Sequence, residues 1–307
     1  MKRWMACLGA AVRFALIEQL RNRLALVILV VYVPVWITLT YTVPASDPLR
    51  FHLSPAGRTV TMDGNVLTQM GGALHALALI VGFMMFLATT RSAPFDQRLV
   101  RAGYPRLCLA LAKFTALVLA AAVVAAYGAL WMRAYWRPQQ LLLLGVGLFV
   151  GALIYGGVGI MLAAVLRSEL AGMFLVIMVS FVDLGLQNPL ANPASDSPLM
   201  RYLPAYGAMQ TVVTAGALHL VPWHELVQGL LWAVAMAAVG MSAFALRSRS
   251  RRPTRAPLPP PSTGGTNSTG SGSGGSTDAG IGSRPGSGLP HRAGTTTTAR
   301  SHRPPTG

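Results

Sequence analysis

Six windows of this chain run for about twenty residues each with almost no charge: Leu24–Val43, Gly71–Thr90, Leu109–Leu130, Leu141–Leu166, Leu170–Leu186 and Leu226–Leu246. A helix of that length crosses the hydrocarbon core of a bilayer. Lipid offers no partner for an open backbone, so such windows must close their hydrogen bonds within themselves, as helices. The overall composition agrees, since only 11% of residues are charged, against about 25% in soluble domains. The expectation is an all-α integral membrane protein with six transmembrane helices, an N-terminal amphipathic interfacial helix and a disordered cytoplasmic tail.

The flanks of the windows set the orientation. Eleven basic residues lie in residues 1–23, in the connection 91–113 and at Arg167, against five at Arg50, Arg58, Arg133, Arg137 and Arg201. Both termini are therefore expected in the cytoplasm of a plasma membrane, a bacterial inner membrane. Residues 1–23 carry Trp4, Met5, Leu8, Val12 and Leu16 on one side of a helical wheel, interrupted by Arg13 and Glu18. That pattern is expected to give an amphipathic helix on the inner membrane surface rather than a signal peptide. The six-helix transmembrane region is expected over 24–246. From 247 to 307 the chain turns to Gly, Ser, Thr, Pro and Arg, a composition too polar to bury a core, so this basic tail is expected to be disordered. The net charge of +16 does not point to nucleic acid, because the arginines sit at window ends and in the tail. Cys7 and Cys108 fall on the reducing side, which disfavours a disulfide.

Catalytic chemistry is sparse. Neither Lys2 nor Lys113 follows a glycine, so there is no phosphate-binding P-loop. No Cys/His spacing suggests a metal. His52, Asp63, His219, His224 and Glu225 form no recognisable enzyme site. Asp183 and His75 lie near window ends, where a hydrogen-bonded or solvated interfacial role is expected for the aspartate. In the fourth window Gly147, Gly151 and Gly156 suit close helix packing, within one subunit or at a dimer interface. Pro34 is expected to kink the first window.

The basic connection after the second window is punctuated. In RSAPFDQRLVRAGYPR, Pro94 suits a helix start, Gly103 a position just past a helix end, and Pro105 a block beyond it. A separate nine-residue helix, PFDQRLVRA, is expected there.

Four features together resemble the membrane subunit of type-2 ATP-binding-cassette exporters: the N-terminal helix, six windows, this connection, and SPLMRYLPAYGAMQTVVTAGALHLVP at 197–222, which looks like short re-entrant helices capping an exit. The resemblance implies an exporter permease that forms a substrate path and is not itself an enzyme. ATP and magnesium would belong to a separate P-loop ATPase subunit, with no cofactor in this chain. It implies a second permease subunit, identical or similar, and an exported substrate of unknown kind. It implies ATPase coupling through Phe95, Asp96, Arg98, Leu99, Arg101 and Gly103, and an exit gate at Tyr202, Pro204 and Tyr206. The alternatives are an ion-coupled secondary transporter, or a membrane scaffold or enzyme.

Overall fold

The computed structural model describes residues 2–21, 23–166, 168–188, 192 and 197–249. The chain is mostly helical: α1 (Lys2–Arg21), α2 (Arg23–Thr42), α3 (Gly64–Arg101), α4 (Arg106–Arg133), α5 (Leu141–Val165), α6 (Glu169–Gln187), α7 (Tyr206–Ala217) and α8 (Trp223–Arg249). Five of them, α3, α4, α5, α6 and α8, are long and apolar enough to cross a membrane. The apolar part of α2, Leu26–Thr42, is shorter, and α2 runs on through Pro34. The tail expected from 247 lies, from residue 250 on, outside the described residues, as does Arg167; α8 itself extends to Arg249.

α5 is apolar on every side, and a helix of that kind belongs inside a bundle. It lies between α3, α4, α7 and α8, and most of its residues from Leu143 to Ala163 are buried. Glycine sets how close its neighbours come. A Cβ on Gly159 would strike the carbonyl oxygen of Gly82 in α3, and one on Gly156 would strike Leu117 of α4. Gly147 backs onto Val212 of α7, and Gly151 onto Leu74 of α3. All three of the singled-out glycines, Gly147, Gly151 and Gly156, are thus covered by helices of the same chain. α2, α6 and α8 form the outside and expose large apolar side chains, among them Val27, Val31, Phe174, Phe181, Leu231 and Val234. Exposed apolar faces of this extent suit contact with hydrocarbon.

The connection 44–70 is more ordered than its length suggests. Strands β1 (Pro48–Leu53) and β2 (Arg58–Asp63) pair antiparallel, with Arg50 opposite Thr61. Burial alternates along both strands, as period two requires. Gly57, at φ 60°, supplies the left-handed turn residue between them.

One expectation fails. PFDQRLVRA is not a separate helix. α3 runs unbroken from Gly64 to Arg101, with Pro94 inside it. At about 1.5 Å per residue its 38 residues extend for about 57 Å, nearly twice the hydrocarbon thickness of about 30 Å. An interior proline costs one backbone hydrogen bond, but the turns on either side of it are tied. Ser92 donates to Asp96 across it at 3.2 Å, and Lys113 of α4 binds both. The expected stop is in place: Gly103 has φ 89°, its N–H donates to Val100 O, and Tyr104 N–H donates to Leu99 O. That pair of bonds is the Schellman ending. Pro105 then precedes α4.

Because Pro94 interrupts a continuous helix, Pro94→Ala restores a backbone donor and is expected to stabilise the protein by about 1–2 kcal/mol. Thermal unfolding in detergent reads this as a raised Tm. A fall in Tm would mean that the proline starts a helix instead.

Candidate functional site

The polar residues that this apolar chain keeps inside fall at its two ends. At the end formed by the α3–α4 turn, three helices meet. α1 packs mainly along α4, running alongside α3 as well: Gln19 Nε2 donates to Met85 Sδ at 3.3 Å, and Tyr104 Oη donates to the carbonyl of Cys7 at 2.5 Å. Between them sits an ion pair, Lys113 Nζ to Asp96 Oδ2 at 2.8 Å, with both side chains largely shielded from water. Lys113 also donates to Ser92 Oγ at 2.5 Å. A charge pair in such surroundings holds only when its hydrogen bonds are satisfied as well, and Ser92 supplies that bond. The pair locks the extended part of α3 to α4.

This arrangement sorts the expected coupling residues. Asp96 faces inward, 5% exposed, and is spent on Lys113, so it braces the turn and presents nothing outward. Phe95, 54% exposed, faces solvent, as do Arg98 and Arg101. Leu99 is half-buried, and Gly103 is exposed in the turn. The outward surface is therefore one aromatic ring and two guanidiniums on a rigid elbow, a surface able to dock on a protein and without a group for covalent chemistry. Among the described residues no cluster of three or more His, Cys, Asp or Glu could hold a metal. Cys7 and Cys108 are free thiols.

Glu18 joins this end from α1. Glu18 is exposed, and its partial packing against the neighbouring helices raises its carboxyl only modestly above the ordinary 4.5; Lys113 pulls it down, Asp96 pushes it up and Arg91 pulls it down. The folded chain thus holds the Glu18 proton more tightly than the unfolded chain does. Its contribution is fully present below pH 4.5 and is lost as pH rises through the folded value.

At the other end the site is built around α7. Twelve residues make about 18 Å of helix, too short to cross a bilayer, yet nearly all of them are buried. Its terminal backbone groups need partners. Asp183 of α6 accepts the N–H of Ala205 at 3.1 Å, Tyr155 Oη of α5 at 2.6 Å and Gln187 Nε2 at 2.5 Å. A carboxylate at that place also faces the positive end of the α7 dipole. At the far end Gln140 N–H donates to Ala215 O at 3.0 Å, and its side chain donates to Leu218 O and Leu220 O. Asp183 is hydrogen-bonded, as expected, but buried rather than solvated.

The three residues expected at an exit gate differ in exposure. Tyr202 is 76% exposed on a 3-10 turn at Pro198–Tyr202. Pro204 is half-buried, and Tyr206 is buried at the start of α7. Sequence reasoning missed Tyr155, Gln140, Ser92 and Gln69. Gln69, fully buried in α3, accepts from Trp136 Nε1 at 2.6 Å and donates to Ile37 O. For Tyr155 a lone polar ring within an apolar window was the available signal, whereas Gln69, Ser92 and Gln140 fall just outside the windows.

No known protein family matches the chain, and no curated protein does.

Two outcomes follow from the geometry. Lys113→Met leaves Asp96 shielded and unpaired and is expected to cost about 3–5 kcal/mol. Asp96→Leu/Lys113→Met should recover much of that loss in thermal unfolding, and a double variant no better than the single would deny the pairing. Glu18→Gln is expected to raise Tm at neutral pH, with the gain vanishing below pH 4.5; a gain that is constant with pH would exclude a proton-linked cause.

Proposed function

We propose that this chain is the membrane subunit of an ATP-driven exporter, with α2 as the first of six spans and both termini in the cytoplasm of the plasma membrane. Two such subunits, identical or similar, would enclose the path of an exported substrate. A separate P-loop ATPase would bind at the α3–α4 elbow and supply the ATP chemistry, so this chain would perform no catalysis itself.

The observation that carries this reading is the length and ending of α3. The helix outruns the bilayer, stays rigid through Pro94 by means of Asp96, Ser92 and Lys113, and stops sharply at Gly103. Its projecting part exposes Phe95, Arg98 and Arg101. A stiff projection tied to a neighbouring helix transmits a push, whereas a loop would absorb it. α7, plugged into the opposite end and held by Asp183 and Gln140, suits a cap on the path that a movement of α5 or α6 would disturb.

The reading is tested by co-purification in mild detergent from cells expressing the tagged chain. A P-loop ATPase should come down with the wild type and be lost, or reduced at least tenfold, with Arg98→Glu/Arg101→Glu. Both arginines are exposed, so the change spares the fold. An ATPase retained equally by the variant, or a wild type isolated without one, overturns the assignment.

A further inference from the structure

A cavity of about 560 Å³ opens between α1, α3 and α4 beside the Lys113–Asp96 pair. That volume lies within the range of small-molecule sites, about 300–1,000 Å³. Its walls are mostly apolar.

The lining is graded. Along the part of α3 that falls in the apolar window, with α4 opposite, the walls are Met84, Met85, Ala88 and Ala116, and none carries charge. Arg21 and Arg91 line the same cavity and are both exposed. Arg21 ends α1, just ahead of the apolar stretch Leu26–Thr42, and Arg91 directly follows the apolar window Gly71–Thr90. Both therefore stand at the level where hydrocarbon gives way to headgroups. Of the remaining charged lining residues, Lys113 and Asp96 are paired with each other, which leaves Glu18 beside the two arginines. The balance at the mouth favours an anion.

We propose that this cavity binds a long-chain anionic amphiphile, its hydrocarbon along Phe14, Ile17 and Ala88 and its phosphate or carboxylate on Arg21 and Arg91. The charged group comes from an anionic phospholipid or from a free fatty acid. Bound there, the molecule wedges α1 against α3 and couples the adjacent leaflet to the elbow. The site needs only that the apolar helices span a membrane and not that the chain transports anything, so the two readings fail separately.

The test uses the purified full-length chain in a neutral detergent, with ligand retention followed by native mass spectrometry and by the shift in Tm. The probes are dioleoylphosphatidylglycerol, dioleoylphosphatidylcholine and oleate. Phosphatidylglycerol should bind at one per chain and raise Tm, with phosphatidylcholine at least tenfold weaker. Oleate binding in preference to phosphatidylglycerol would support the same site with a fatty acid as the source. Arg21→Gln/Arg91→Gln should weaken anionic binding at least tenfold, and Ala88→Phe should abolish it by filling the cavity. Should Ala88→Phe fail to fold, the arginine variant alone decides, since its changes are exposed. Equal binding of the zwitterionic and anionic lipids, or undiminished binding by the arginine variant, overturns the proposal.

Discussion

The contact on which this bundle turns is the one between α3 and α5 at Gly82 and Gly159. Backbone meets backbone there: a Cβ on Gly159 would strike the Gly82 carbonyl oxygen, and one on Gly82 would strike Val176 of α6. In hydrocarbon, apolar side chains gain nothing by leaving lipid for protein, so helices associate through close packing and hydrogen bonds instead. The glycines of α5 provide that packing toward α3, α4 and α7 at once. With α5 fixed among them, α6 and α8 are left outside with large apolar side chains exposed.

The second constraint is the satisfaction of polar groups away from water. A helix that spans closes its own bonds, but α7 does not span. Asp183 and Gln140 supply its ends from two other elements, and Tyr155 and Gln187 satisfy the carboxylate in turn. At the opposite end the same accounting applies to Lys113, Asp96 and Ser92. Gln19, Gln69, Asp96 and Asp183 are therefore joints between separate elements, while Ser180 and Thr211 bond only within their own helices. Such joints hold the short helix α7 at one end and the α3–α4 turn at the other.

The stop at the end of α3 was readable because it is local: glycine tolerates the positive φ, and proline beyond it cannot continue the helix. The bridging of Pro94 was not readable, because it depends on Lys113, a residue in the next helix. The role of Asp96 was misread for the same reason. The family resemblance placed it among the coupling residues, while the ion pair across the turn draws its side chain inward. The hairpin at 48–63 left a weak trace, the alternation of Leu49, Phe51 and Leu53 with Val60 and Met62, obscured by the shortness of the strands.

By itself the sequence determined the class of structure. Long uncharged windows can exist in lipid only as helices, and Gly103 with Pro105 can end one. Tertiary structure decided which polar groups meet. Tyr155 finds Asp183, Gln19 finds Met85, and Gln69 lies between Trp136 and Ile37. Helix formation is written in neighbouring residues, through a backbone bond that spans four of them. A buried polar contact is written in residues far apart along the chain, and its partner is fixed only when the helices have packed.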